Sequence, residues 1–351
     1  MAEVKIGVIG AGWWAVRNHI PVLQSLPDVE VTAVCRLGKE ELHKVQEEFG
    51  IEFATEDYRE LLRRNDLDGV VVSSPHRFHY EHASAALDRG LHVLCEKPVV
   101  LHAREARDLA ARAASKRLHF LVPFGWNYTA LAEQARAVVK EGLIGRIEHV
   151  HCHMGSSTRD LFSGEDFWFS KDDAVKPDPR TWSDAAGGGG FVHGQMSHAL
   201  ALLFFISELR AREVFACTTT SPTGADLTAT ISCRFENGAT GMIGGAGTMP
   251  PRSTYQVDVR VFGTEGMLLL DIERPRLELR RQDGERRMIP VDLKPGEYSC
   301  VKPLHAFVDL IRGKNVENRS TADLGVAVVE VLDAALRSAS SGKSQNVAEL
   351  A

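Results

Sequence analysis

The stretch Val4-Lys5-Ile6-Gly7-Val8-Ile9-Gly10-Ala11-Gly12-Trp13-Trp14-Ala15 decides how this chain is read. An apolar run leads into Gly-x-Gly-x-x-Ala, and a second strand-like run at 30–35 ends at Arg36. Strand, tight turn, helix and strand is the context in which such turns bind dinucleotides. Gly10 permits the turn, and Gly12 lets the backbone approach a pyrophosphate. Ala15 is small enough for the helix to pack on the strand. The helix start then offers N–H groups and a positive dipole end to phosphates. A glycine-rich bend in some other α/β protein is the alternative, and the flanking periodicity favours the dinucleotide site.

Outward from this turn, strands and helices alternate. Strands are expected at 4–9, 30–35, 69–73, 92–95 and 119–122, with helices at 15–26, 39–48, 57–64, 79–89 and 102–116. Near-continuous apolar strands separated by amphipathic helices predict a parallel, doubly wound sheet covered on both faces. The pattern changes after Pro123. A helix at about 129–141 precedes strand-like segments at 147–154, 213–219, 227–235, 239–245, 255–262, 267–270 and 276–282. Short connections such as Glu236-Asn237-Gly238 read as hairpins. The expectation is a Rossmann domain over 1–122 and an α+β domain over 123–351 with an open, mainly antiparallel sheet. Helices at 303–312 and 322–338 are available to pack back on the first domain. The long polar and aromatic segment 155–190 reads as a lid or wall of a substrate site, since long loops in compact domains are commonly functional.

The 351 residues suffice for two domains. A net charge of −6 and a pI near 6.2 argue against nucleic-acid or anionic-membrane surfaces. No apolar run in the sequence approaches a membrane span, and the first strand begins too early to leave room for a signal peptide. The six cysteines are scattered without Cys-x-x-Cys spacing, which suits free thiols in a reducing cytoplasm.

Glu96-Lys97-Pro98 follows a predicted parallel strand, the end at which doubly wound folds bind ligands. A lysine there can stabilise the developing alkoxide of a substrate hydroxyl. Pro98 fixes the chain direction and is a candidate for a cis bond. Taken with Gly10-x-Gly12, His19-x-Pro21, Pro75-His76-x-x-His79 and the glycine-rich run leading to His198, the chain resembles the Gfo/Idh/MocA oxidoreductases over essentially its whole length. The resemblance implies an NAD(P)-dependent enzyme acting on sugars, cyclitols and related polyols, and a C-terminal sheet that mediates oligomerisation. It places the catalytic lysine on Lys97. Cofactor contacts are expected at Gly10, Gly12, Trp13, Trp14, Ala15, Arg36, Ser74, Pro75, His76, His79, Glu96 and Lys97.

The family's second motif, three glycines followed by an Asp and a His four residues later, maps onto Gly188-Gly189-Gly190 and ends at His198. Gly194 stands at the Asp position. His198 is the expected acid/base, with a buried core histidine as the alternative. His193 and Gln195 are candidates to fill the space of the absent carboxylate, although Gln cannot accept a proton near neutral pH. Asn127, Tyr128, Arg180 and Trp182 are further candidate substrate contacts. Arg36 replaces the acidic residue that would bind a ribose 2′-OH, so NADP is favoured over NAD. His149, His151 and His153 share one strand face, but no further ligand converges in the sequence and no metal is expected.

The function expected is hydride transfer between NADP(H) or NAD(H) and a secondary alcohol or ketone of a sugar, glycoside or cyclitol. Alternatives are redox-recycling elimination or epimerisation with retained dinucleotide, and a non-catalytic NAD(P)-binding sensor. The expected partners are a small carbohydrate or polyol and further copies of the chain, as a homodimer or homotetramer, with no nucleic acid and no membrane.

Overall fold

A computed structural model describes residues 3–292, 294 and 296–349. The first domain is a six-stranded parallel sheet of β1 (Val4–Ile9), β2 (Val29–Cys35), β3 (Phe53–Thr55), β4 (Gly69–Val72), β5 (His92–Cys95) and β6 (Phe120–Leu121), in the order β3-β2-β1-β4-β5-β6. The apolar runs become central strands because both faces are covered. Every residue of β4 is buried, and Val8 sits between Val34 and Val71. The strand β3 is absent from the sequence reading. It is three residues long, too short for a period to register, and it exists by pairing with the end of β2.

The second sheet has nine strands, adding β7 (Ile147–Gly155), β8 (Ala211–Thr220), β9 (Asp226–Phe235), β10 (Thr240–Ala246), β11 (Gln256–Gly263), β12 (Gly266–Asp271), β13 (Arg276–Arg281), β14 (Arg286–Ile289) and β15 (Gln345–Asn346). Their order is β14-β13-β12-β11-β7-β10-β9-β8-β15. All neighbours are antiparallel except β7 and β10. The two outermost strands also escape the sequence reading. Arg286–Ile289 reads Arg-Arg-Met-Ile, a charged edge that carries no apolar alternation.

One face of the second sheet packs on the helix Ser197–Ser207, every residue of which is buried. The segment Ala185–Ser207 holds an 18-residue window apolar enough to cross a membrane, but that whole window is buried inside the protein. The end of the chain returns to the first domain. Leu304, Phe307, Val308 and Leu310 of the helix Val301–Ile311 share a core with Val4, Ile6 and Val8. The helix Ala322–Ser341 packs on both Ala103–Lys116 and β8. The two sheets are thereby held against one cleft.

Candidate active site

A cavity of about 520 Å³ runs between the domains. Its floor is the carboxyl ends of β1, β4 and β5, the position a doubly wound sheet reserves for ligands. Gly12, Trp13 and Arg36 line its nucleotide-turn side with Ser74, Pro75, His76 and His79, and Trp14 reaches across to Glu96. Glu96, Lys97, Trp182, Gln195 and His198 line the other end.

The nucleotide turn is built as its residues require. Gly10 has φ +89°, and a Cβ there would stand 2.3 Å from the Ser74 nitrogen, so the turn and the loop after β4 touch backbone to backbone. Ala15 is fully buried in the core beside Ile20 and Val31. Gly12 has nothing within 4 Å of where a Cβ would point, which leaves open space over the helix start. A pyrophosphate fits that cradle, and the chain's residues there suit a dinucleotide. The helix opens with a π-helical turn at Ala15–His19, a distortion frequent at functional sites. Arg36 is half-buried beside the turn, its guanidinium donating to the Ala11 carbonyl at 3.3 Å, and burial lowers its pKa.

At the chemical end Lys97 is 8% exposed and joined to Pro98 by a cis peptide. Its Nζ donates to the Gly194 carbonyl at 2.9 Å and lies 5.5 Å from the Trp182 ring centre. Burial lowers its pKa, while the Glu96 charge works the other way. Glu96 is a buttress. Its Oε1 is 2.9 Å from the Trp14 indole nitrogen and 2.8 Å from His19 Nε2, and its Oε2 accepts from the Lys97 backbone N–H at 3.0 Å. Burial disfavours this carboxylate, but the His19 bond and the His19 and Lys97 charges outweigh it and hold its pKa below the usual value. His79 pins the loops together, its ring nitrogens 2.8 Å from the Pro98 carbonyl and 2.7 Å from that of Ser74.

His198 follows a second π-helical turn, Val192–Met196. Its ring centre lies 4.9 Å from that of Tyr298 and 5.6 Å from that of Trp126, and its Nδ1 has no partner among the described residues. Burial first, and the Lys97 charge second, push its pKa well below 6.5. Both favour the neutral imidazole over the charged one. Asp226 fixes the start of this segment by accepting from the Val192 N–H at 2.6 Å.

The place of the absent carboxylate is filled by carbon. A Cβ on Gly194 would lie 3.0 Å from two ring carbons of Phe162, which is fully buried, and 3.8 Å from Trp182. Gly194→Asp is expected to destabilise the fold by about 2 kcal/mol, through overpacking and an unpaired buried charge. In denaturant titrations the double variant with Phe162→Ala should lose less than the sum of the two single losses. Strict additivity would show that Phe162 does not occupy that space.

The structure sets four of the expected substrate contacts away from the cavity. His193 is buried and does not line the cavity. Asn127 is fully buried, donating to the Arg319 carbonyl. Tyr128 packs into the core behind the first sheet. Arg180 is exposed and paired with Asp178. Trp182 and Gln195 do line the cavity, and both tryptophans of the nucleotide turn face it. Of the strand histidines, His149 bonds Thr240 at 2.9 Å on the outer sheet face. Sequence reasoning misses Trp126, Phe162, Tyr255 and the Tyr298–Cys300 corner, which no local motif marks.

The segment 155–190 carries short helical turns and straps the cavity. Trp13 donates from its indole to Asp173 at 2.6 Å, Arg17 pairs with the same carboxylate, and the Arg17 guanidinium lies 4.5 Å from the Phe169 ring centre. Arg77 pairs with Asp184 at 2.6 Å at the other end of the strap. Asp173→Ala should raise the rate of dinucleotide release about 10-fold, the worth of one or two part-buried bonds. Stopped-flow fluorescence reads this rate directly, and an unchanged rate would remove the latch.

Comparison with known proteins agrees with this fold. Residues 4–124 match the oxidoreductase family with an NAD-binding Rossmann fold, GFO/IDH/MocA, and residues 132–269 match the GFO/IDH/MocA C-terminal domain. The chain belongs to the Gfo/Idh/MocA family. Among its relatives is the dTDP-3,4-didehydro-2,6-dideoxy-alpha-D-glucose 3-reductase of Streptomyces antibioticus, 30% identical over 84% of each chain. The D-xylose 1-dehydrogenase (NADP(+)) 2 of Haloferax volcanii is 25% identical over 97% of this chain and 98% of its own. A solved levoglucosan dehydrogenase in complex with NADH and L-sorbose shares the fold, with a TM-score of 0.78, 20% identity and 99% coverage of both chains. This Gfo/Idh/MocA member is an NAD(P)-dependent oxidoreductase.

Proposed function

We propose that this protein exchanges a hydride between a nicotinamide dinucleotide and a secondary alcohol or ketone carbon of a sugar, glycoside or cyclitol, with NADP(H) preferred. The observation that carries the reading is one continuous cavity with Gly12 and Arg36 at one end and the buried pair Lys97 and His198 at the other. The dinucleotide, when bound, supplies the redox chemistry at its nicotinamide ring. The chain's residues supply orientation and charge. Lys97 donates to the substrate oxygen and stabilises it as negative charge develops. His198 takes the hydroxyl proton in oxidation and returns it in reduction. Glu96, held by Trp14 and His19, keeps the Lys97 backbone in place. Assays of a polyol and sugar panel with both dinucleotides test the reading, and a protein that binds dinucleotide tightly yet neither oxidises nor reduces any of the panel would favour the sensor alternative.

Arg36 supports the cofactor preference, because a guanidinium pairs well with a 2′-phosphate. Arg36→Ala is expected to weaken NADP binding about 30-fold while moving NAD binding less than about 3-fold. Equal losses for both would assign Arg36 to the adenine face instead.

The latch on Trp13 and Arg17 favours a second reading. A strapped dinucleotide suits transient oxidation followed by elimination or epimerisation, with the cofactor regenerated in each cycle. Product formation beyond one equivalent of supplied dinucleotide would identify it.

The open face of the second sheet exposes Phe215 and Met242, 42% and 49% accessible, and is the surface we assign to a homodimer or homotetramer. Five of the six cysteines are buried and all are free, which suits the cytoplasm.

A further inference from the structure

We infer that the chemical end of the cavity takes an uncharged sugar, meaning a free aldose, a simple glycoside or a cyclitol, and rejects sugar acids, sugar phosphates and nucleotide sugars. The inference rests on the hydride-transfer reading of the same site and narrows its substrate class. It follows from where the charges are.

Around Lys97 and His198 the lining is Trp126, Thr158, Leu161, Trp182, Tyr255 and Tyr298, none of them ionised near neutral pH. Lys97 is the cation at that end, and the reacting oxygen needs it. The carboxylate of Glu96 is already bonded to Trp14, His19 and the Lys97 N–H. The position that could add a charge is Gly194, and the Phe162 ring fills its side-chain space. Three further cations line the same cavity without standing in a bond to Lys97 or His198. Arg36 stands at the nucleotide turn, Arg17 is paired with Asp173, and Lys176 is exposed on the strap. A carboxylate or phosphate brought in beside the reacting carbon would lose its water without gaining a counter-charge.

Neutral hydrogen-bonding groups are present instead. His198 Nδ1 is buried with no partner among the described residues, the Gln195 amide and the Tyr255 hydroxyl line the same cavity, and Gln195 and His198 are each 7% exposed. Buried groups of this kind are satisfied by hydroxyls and stay unpaired with a substrate that lacks them. Flanking aromatic faces can cover the C–H surface of a sugar ring.

The test compares D-glucose, methyl glucoside and myo-inositol with D-glucuronate, D-glucose 6-phosphate and dTDP-glucose. Turnover is followed with both oxidised dinucleotides, and binding to the enzyme saturated with reduced dinucleotide by calorimetry. A neutral compound should exceed every anionic one by about 100-fold or more in kcat/KM. Trp182→Ala should lower that kcat/KM about 10-fold and leave dinucleotide affinity within about 2-fold, since its ring stands at the substrate end. An anionic sugar turned over as well as the best neutral one overturns the inference and leaves the oxidoreductase reading intact. A neutral sugar that binds selectively and is never oxidised upholds the inference and defeats the hydride-transfer reading. A panel in which nothing binds or reacts overturns both.

Discussion

Lys97→Ala is expected to lower kcat for sugar oxidation by about 100- to 1000-fold, the usual cost of removing one donor to a developing oxyanion. Dinucleotide affinity should change little, because the pyrophosphate cradle belongs to Gly12 and the helix start. Lys97→Arg should not restore activity. The amine fits a single carbonyl acceptor, Gly194, in a buried space against Trp182, and a planar guanidinium has other geometry. The split between kcat and dinucleotide binding matters. A variant that merely unsettled the fold would lose both, and Lys97→Ala should lose only the first. Steady-state kinetics beside a fluorescence titration of the dinucleotide separate the two outcomes.

Stability is expected to fall steeply as pH drops from about 6.5 toward 4. Burial pushes His193 down to about 4, and His76 and His198 well below their ordinary value. A histidine whose folded pKa is depressed contributes stability that is complete above its unfolded pKa of about 6.5 and lost as pH falls through the folded value. For His193 alone the loss amounts to about 3 kcal/mol. Asp226 runs the other way. Burial raises its pKa to about 6, so its share is complete below its unfolded value and lost as pH rises through 6. Three histidines outweigh one carboxylate, and the net slope is loss in acid. Guanidinium unfolding at several pH values should show wild type losing about 3 kcal/mol more than His193→Asn between neutral pH and pH 4. Parallel curves would mean that His193 is not held neutral by the fold.

Much of this arrangement is legible in the sequence because its parts are local. The nucleotide turn announces itself by glycine spacing between two apolar runs, and Lys97 by its place one step past a buried strand. The order of strands and helices follows from periodicity. What escapes is set by contacts distant in the chain. Trp13 meets Asp173 160 residues away, and Lys97 meets the Gly194 carbonyl 97 residues away. The glycine at 194 is visible as a missing carboxylate, but the ring that fills its place is not. His193 and Gln195 are two residues apart, yet only Gln195 lines the cavity. Asn127 and Tyr128 follow a site-forming strand, but their side chains serve the packing of the loop 318–320 and the first core. The short strand β3 and the charged edge β14 form only because a neighbouring strand offers its edge.

The central claim is that Lys97 stands where the substrate oxygen becomes charged. A single-turnover experiment tests it most directly, mixing enzyme preloaded with oxidised dinucleotide against a neutral sugar and following nicotinamide absorbance. Wild type should show a rapid rise equal to the enzyme concentration, and Lys97→Ala, loaded to the same extent, a rise slower by about 100-fold or more. Equal rates in the two proteins would contradict the account.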